Sequence, residues 1–494
     1  MNSKKTLIVM VLINLISILS GFIRDSSIAI SLGATATSDV FMFIINVPTV
    51  LFSSLGWVIM STFVPTYTDV MINQDRKNLN EFSNTFIKVV VMFTSCIVLI
   101  LLGFNKFMIK ILAPGFLGDS YVLAKQLFFI ITPSLIFLSI SYCSVAILNA
   151  SKKMIWVPML GIPINIMTIV AVILIFPKYG IHMATAIVLV GSILQMILMT
   201  IPLIKTPFRF TMYFNLKDEN IKKMISMLGP MFIGVMAQQI NSIFGGAITS
   251  TLTEGSLTSY NLATKIINAT YNSIILIGIS YIYPYLSHDF ASGMIDKFKN
   301  TISKSLNLIF LILMPITVLI IHLNEEIITI LYGYGKFTSE SINITSKILV
   351  ISSFGILFMG IRELLYRAYY SARNTKTPMK YSVLGIVINI FLAIVLSKKL
   401  GIIGVAMASS ISILISTVCI YIKFKKEFNS VIFTPMIIIK YIIITVILFY
   451  SIKMIKVYIS YGVFITAIIL PITTIFIYIL LILILKINIK EYLK

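Results

Sequence analysis

Seven charged side chains lie where apolar residues dominate. Arg24 and Asp25 sit late in the first apolar run, and Asp39 opens the second. Lys265 lies about two helical turns into the run that starts near residue 257, and Arg362, Glu363 and Arg367 share the run over 343–370. A charge inside a membrane span is costly, so each is a candidate for work. Arginine offers a planar fork of donors that matches phosphate, and lysine a point charge. Arg24 and Lys265 therefore suit an anionic ligand such as a pyrophosphate. Asp25, Asp39, Arg362 and Glu363 complete the candidate binding set. Each also has a plainer role. Arg24 and Asp25 could pair with each other or snorkel, Asp39 could cap the helix it opens beside Ser38, and Arg362 and Glu363 could bind neighbouring helices. Lys265 has no acidic residue one turn away.

Other chemistry lacks carriers. Gly333-Tyr334-Gly335-Lys336-Phe337 looks like the tail of a P-loop, but Ile330 stands where its first glycine belongs and Phe337 where it needs Ser or Thr. No GxSxG or HExxH occurs, so no catalytic residue is expected. His182, His288 and His322 lack metal-ligand spacing, and Cys96, Cys143 and Cys419 lie far apart inside apolar runs. Neither a metal nor a cofactor is expected. Any movement must draw on an ion gradient, the membrane potential or the substrate's own gradient.

The elements that position these charges are membrane helices. Hydrophobic residues make up 58% of the 494, charged residues 11%, and the mean hydropathy is +1.01. A soluble chain carries about 25% charged residues, so lipid is the solvent. The fold class expected is an all-α polytopic membrane protein of about fourteen transmembrane helices. They lie near 6–31, 39–64, 85–104, 125–148, 154–176, 182–204, 224–250, 257–286, 302–322, 343–370, 379–397, 402–422, 433–452 and 462–486. The basic N-terminus and the apolar stretch after it lack a small-residue cleavage pattern, so this run is expected to stay as the first helix.

The net charge of +22 is explained by orientation and anionic lipid, with no role for nucleic acid. If both termini face the cytoplasm, the inside segments hold the basic clusters Lys4-Lys5, Arg76-Lys77, Lys152-Lys153, Lys222-Lys223 and Lys423 to Lys426, and the outside segments hold far fewer. Residues 214–227 read as an amphipathic helix on the cytoplasmic face.

The sequence repeats itself. Leu160-Gly161-Ile162-Pro163-Ile164-Asn165-Ile166 returns as Leu384-Gly385-Ile386-Val387-Ile388-Asn389-Ile390, Asn84-Thr85 as Asn300-Thr301, and Pro65 as Pro284. The unit holds six spans, so both copies insert the same way up, as in parallel-repeat transporters that rock around a central cavity. The organisation expected is an N-lobe over 1–205, a cytoplasmic amphipathic linker over 206–223, a C-lobe over 224–426 and a C-terminal helix pair over 427–494. Spans 1, 2, 7 and 8 would face one another and aim Arg24, Asp39 and Lys265 at one cavity.

Specific stretches add a resemblance. They are Gly21-Phe22-Ile23-Arg24-Asp25, Leu32-Gly33-Ala34, Ser38-Asp39-Val40-Phe41, Ala113-Pro114-Gly115-Phe116, Tyr334-Gly335-Lys336-Phe337-Thr338 and Arg367-Ala368-Tyr369-Tyr370-Ser371-Ala372. Together they resemble the MviN/MurJ family of lipid II flippases, within the multidrug/oligosaccharidyl-lipid/polysaccharide exporter superfamily. The resemblance implies two lobes with a lipid-tail groove along the last two helices, and a bacterial inner-membrane protein that moves an undecaprenyl-pyrophosphate-linked peptidoglycan precursor to the outer leaflet. It also implies cavity roles for Arg24, Asp39 and Lys265, and partners among anionic lipids and cell-wall synthesis proteins. The chain departs from the family at Ile18, Phe52 and Ser53, where the family carries arginines, and at Leu55-Gly56-Trp57, where an acidic-Gly pair is missing. A flippase for another lipid-linked oligosaccharide, of capsule or teichoic type, is the nearest rival reading. A membrane-embedded glycosyltransferase or ligase would need acidic or histidine groups on a sizeable outer loop, and the expected outer loops are short.

Overall fold

The structure, a computed structural model, describes residues 3–222, 224, 239, 243–428, 435–458 and 462–485. The described residues are helical with turns between and contain no strand. In order the helices are α1 (Ser3–Leu32), α2 (Ala36–Asn73), α3 (Arg76–Gly103), α4 (Asn105–Leu112), α5 (Gly118–Ile131), α6 (Ser134–Ala150), α7 (Ile162–Val170), α8 (Phe176–Thr200), α9 (Ser256–Thr270), α10 (Ile277–Ala291), α11 (Ile295–His322), α12 (Asn324–Tyr332), α13 (Ser339–Ser371), α14 (Lys376–Leu400), α15 (Ile402–Phe428), α16 (Pro435–Tyr458) and α17 (Val463–Ile484).

Among the described residues, ten helical stretches are long and apolar enough to cross a membrane, or eleven if α5 and α6, bent by 43°, form one broken span. The bend falls at Pro133, which opens α6. The stretch Met154–Lys205 counts once here, yet its 52 residues exceed the roughly 20 that a single crossing needs. The chain turns inside it at Gly180, whose φ of 77° suits glycine. Most of the expected span 7 lies outside the described residues.

The helices start on their own side chains. At α2, Thr35 Oγ1 accepts the Ser38 N–H at 3.3 Å while Ser38 Oγ accepts the Thr35 N–H at 2.9 Å, a reciprocal capping box. Within helices, hydroxyls turn back onto carbonyls one turn earlier, as Thr62 does to Val58 and Ser83 to Leu79, so these buried polar groups are satisfied without water.

The chain forms two compact units. The first comprises Met1–Thr258 with Gly335–Phe337, the second Ser259–Tyr334 with Thr338–Lys494. The core of the first stacks Phe63 on Phe82 and Phe86, with ring centroids 5.5 and 4.7 Å apart. In the second, α16 and α17 pack on α11, where Tyr441 and Tyr478 donate to the carbonyls of Asn307 and Leu311.

The segment read as an amphipathic helix from residue 214 is not helical until Glu219. Hydrogen bonds from α3 hold the preceding stretch extended. The Asn84 amide donates to the Arg209 carbonyl at 2.8 Å and accepts the Thr211 N–H at 2.9 Å. Asn80 accepts the Arg209 N–H, and Lys88 Nζ donates to the carbonyls of Thr211 and Tyr213. Asp218 then accepts the Asn220 N–H at 2.8 Å and starts the short helix. Residues 223 and 225–227 of that expectation lie outside the described residues.

Candidate functional site

Two groups of expected site residues fall in the first unit and one in the second. On α1, Arg24 Nη2 lies 2.7 Å from Asp25 Oδ1, with Nε donating to the same oxygen at 2.8 Å. Nη1 donates to Asn165 Oδ1 on α7 at 3.3 Å, and Asn165 Nδ2 donates to Ser20 Oγ at 2.9 Å. The Arg24 side chain is 18% exposed and that of Asp25 4%. The guanidinium is thus held flat by a carboxylate and an amide. Of its five N–H groups, two are left to meet a further anion. Asn165 belongs to the repeated Leu-Gly-Ile-x-Ile-Asn motif, so the repeat marked a residue that the search for charges passed over.

Asp39 is buried, and both carboxylate oxygens are engaged. Oδ2 accepts the Gly255 N–H at 2.8 Å, and Oδ1 accepts the Thr258 N–H at 2.7 Å and the Thr258 hydroxyl at 2.6 Å. The residue that opens α2 therefore caps α9. Its negative charge sits at that helix's N-terminus, where free N–H groups and the helix dipole both favour it. The cap of α2 itself is Thr35, with Ser38 as its reciprocal partner. Ser38 Oγ also lies 2.9 Å from Thr258 Oγ1. Thr253 and Ser256, with Oγ atoms 3.0 Å apart, repeat the Thr35-x-x-Ser38 pattern at the head of α9.

Around this cap the backbone passes so closely that only glycine fits. A Cβ on Gly255 would stand 2.4 Å from the Ala34 carbonyl oxygen, one on Gly33 2.6 Å from that of Lys336, one on Gly115 2.1 Å from that of Ser250 and one on Gly335 2.4 Å from that of Ile30. Gly115 N donates to Ser250 Oγ at 3.1 Å, and Lys336 N donates to the Ile30 carbonyl at 2.9 Å. The approaches of Gly115 to the Ser250 carbonyl and of Gly335 to the Ile30 carbonyl are copies of each other, because Gly115 and Gly335, like Ile30 and Ser250, are one repeat apart. A glycine after the third or ninth expected span thus seats on the end of the helix that opens the opposite repeat. Of these residues, the sequence singled out only the motifs around Gly33, Gly115 and Gly335. Gly255, Thr258 and Ser250 carry no signal beyond their place in the repeat.

In the second unit, Glu363 on α13 accepts from Arg367 Nε and Nη2 at 3.0 Å and from the Tyr271 hydroxyl at 3.1 Å. Tyr271 begins a π-helical turn over Tyr271–Leu276 between α9 and α10. Arg362, neighbour to Glu363 in sequence, turns elsewhere. Its Nη1 donates to Ser416 Oγ on α15 at 3.5 Å, and its guanidinium stands 5.8 Å from the Tyr366 ring. Gly385, the repeat copy of Gly161, leaves the space beside Ser416 and Arg362. Lys265 sits half-buried on α9, six residues before Tyr271. No group of three or more metal-ligating side chains occurs among the described residues.

The family model for lipid II flippase MurJ matches residues 28–485. A relative named lipid II flippase MurJ from Thermosipho africanus is 28% identical over 396 residues, which is 79% of each chain. A solved structure titled lipid II flippase MurJ, inward closed conformation, superposes with a TM-score of 0.82 at 26% identity, covering 97% of this chain and 98% of that one. An inward-facing multidrug resistance transporter of the MOP superfamily shares the fold at 13% identity, with a TM-score of 0.67 and 85% of this chain covered. With its length matched and its fold shared end to end, this multi-span helical membrane protein belongs to the MurJ family of lipid II flippases.

Proposed function

We propose that the protein carries undecaprenyl-pyrophosphate-linked peptidoglycan precursor, lipid II, from the inner to the outer leaflet of the bacterial cytoplasmic membrane by alternating access. The observation that carries this reading is the end-to-end similarity to a solved lipid II flippase, which spans both units and the final helix pair. Both termini lie in the cytoplasm by the lysine and arginine distribution. The set around Asp39, Gly33, Gly115, Gly255 and Gly335 is then a latch at the outer ends of the first spans. It is shut here, and a headgroup can leave outward only after it opens.

Arg24 is the pyrophosphate's first partner. Asp25 and Asn165 orient its fork, and the two remaining N–H groups meet the anion. Lys265 adds a point charge where the family carries arginine. Asp39 acts through the latch, since its lone pairs are spent on Gly255 and Thr258. Arg362 and Glu363 hold α13 against α15 and against the π-helical turn, and bias how that turn bends. Energy comes from an ion gradient or the membrane potential. The lipid tail stays outside, along α16 and α17, and cell-wall synthesis proteins take the delivered precursor.

The test is growth of bacteria whose own lipid II flippase is shut off. This chain should restore growth, and Arg24→Ala or Lys265→Ala should abolish the rescue while leaving the protein in the membrane. A well-inserted chain that gives no rescue would refute lipid II as cargo. The arginines lost at Ile18, Phe52 and Ser53 would then favour another lipid-linked oligosaccharide.

A further inference from the structure

An open recess of about 470 Å³, apart from the latch and the charged site, lies where α4, α5 and α8 meet. It is lined by Asn105, Lys125, Gln126, Phe129, Ile130 and His182. Its polar groups are arranged for a ligand that both accepts and donates hydrogen bonds. His182 Nε2 lies 2.8 Å from Gln126 Oε1. With the Gln126 amide oxygen turned to the ring, His182 donates from Nε2 and the Gln126 amino group stays available as a donor. Lys125 makes no side-chain hydrogen bond or ion pair among the described residues, and no acidic residue lines the recess. Asn105 donates Nδ2 to the Lys125 carbonyl at 3.0 Å, which orients its amide. That leaves Oδ1 buried with no partner. An unmet buried acceptor is destabilising, and a small turn toward a ligand's hydroxyl would relieve it.

The surroundings place the recess at a membrane surface. Beside it Phe104, just before α4, and Phe107 and Ile111 on α4 are each more than half accessible, with Lys106 and Lys110 in the same helix. Phe129 on the rim is 58% exposed. Basic and aromatic residues on a short amphipathic helix are the composition of an interfacial segment.

We propose that this recess binds the headgroup of phosphatidylglycerol. The phosphate diester accepts from Lys125 Nζ and the Gln126 amino group, a glycerol hydroxyl donates to Asn105 Oδ1, and the acyl chains run down over Phe129. Phosphatidylcholine has the phosphate but no donor. Phosphatidylethanolamine has a donor, but it is a cation that would sit beside Lys125 with no carboxylate to receive it. A bound lipid here would fasten α4 and α5 to α8, the helices that flank the loop carrying Gly115.

Native mass spectrometry of the full chain, released from detergent with each lipid in turn, tests the assignment. Wild type should retain one more phosphatidylglycerol than Lys125→Met does. Lys399→Met, which removes an equal charge on α14, should bind as wild type. Asn105→Leu should narrow the preference for phosphatidylglycerol over phosphatidylcholine by more than about threefold. If Asn105→Leu fails to fold, the lysine pair alone decides. Equal retention in Lys125→Met and Lys399→Met, or equal retention of the three lipids by wild type, would overturn the proposal. sn-Glycerol 3-phosphate should not displace the lipid, and displacement at matched concentration would mean a soluble phosphate site instead.

Discussion

Asp39 and Thr258 meet through two hydrogen bonds to one carboxylate oxygen, from the backbone N–H at 2.7 Å and from the hydroxyl at 2.6 Å. The residues lie at corresponding helix starts in the two repeats, and their meeting closes the head of α2 on the head of α9. A carboxylate is well chosen for this, because charge-assisted bonds are short and strong and a helix N-terminus supplies matching donors.

Asp39→Asn keeps the shape and removes the charge. The amide's NH2 would also oppose one of the N–H groups it faces. The latch should weaken by roughly 1–3 kcal/mol, because bonds to a charged acceptor are worth about twice neutral ones. Labelling of Ser256→Cys, a buried position beside the cap, by an impermeant thiol reagent from outside should rise in the Asp39→Asn background once Cys96, Cys143 and Cys419 are replaced. Unchanged labelling would mean that the carboxylate does not hold the latch.

A crosslink makes the complementary case. Ser38 Oγ and Thr258 Oγ1 are 2.9 Å apart, so cysteines at both positions, with Cys96, Cys143 and Cys419 replaced, should form a disulfide that arrests flipping. Reductant should restore it. Continued flipping by the oxidised protein would show that the latch stays shut throughout transport.

Gly115→Ala is the steric test. Its Cβ would fall 2.1 Å from the Ser250 carbonyl oxygen, so backbone must move. A clash of this kind costs about 1–3 kcal/mol, enough to lower the closed population by roughly fivefold or more. Gly103→Ala, with open space around it, should behave as wild type in the same flipping assay.

The extended linker rests on Asn84, whose amide uses both its oxygen and its nitrogen. Asn84→Leu should free the backbone around Arg209 and raise tryptic cleavage there severalfold, while Lys77→Ala, on an exposed part of α3, should not. Equal cleavage in the two variants would show that these bonds do not pin the segment.

How much of this could be read from sequence depended on the physics behind each signal. Long apolar runs marked the helices because lipid leaves few alternatives, and the costly charges Arg24 and Asp39 stood out for the same reason. The pairing of Arg24 with Asp25 was one of the roles open to it, and sequence adjacency suggested it. That Asp39 would cap a helix 216 residues away could not be read, since capping rules are local and this cap is tertiary. The segment after residue 214 has a pattern of apolar and charged residues that suits a helix, yet it is not helical before Glu219. Asn84 and Lys88 override that pattern from another helix.

The most direct measurement is the fraction of lipid II that an enzyme added outside the cell can cleave when this chain is the only flippase present. Arg24→Ala, Lys265→Ala and the oxidised Ser38→Cys/Thr258→Cys pair should each return that fraction to the level of cells with no flippase, while wild type restores it. Wild-type levels of cleavage in all three, at equal expression, would contradict both the cationic grip on the headgroup and the opening of the latch.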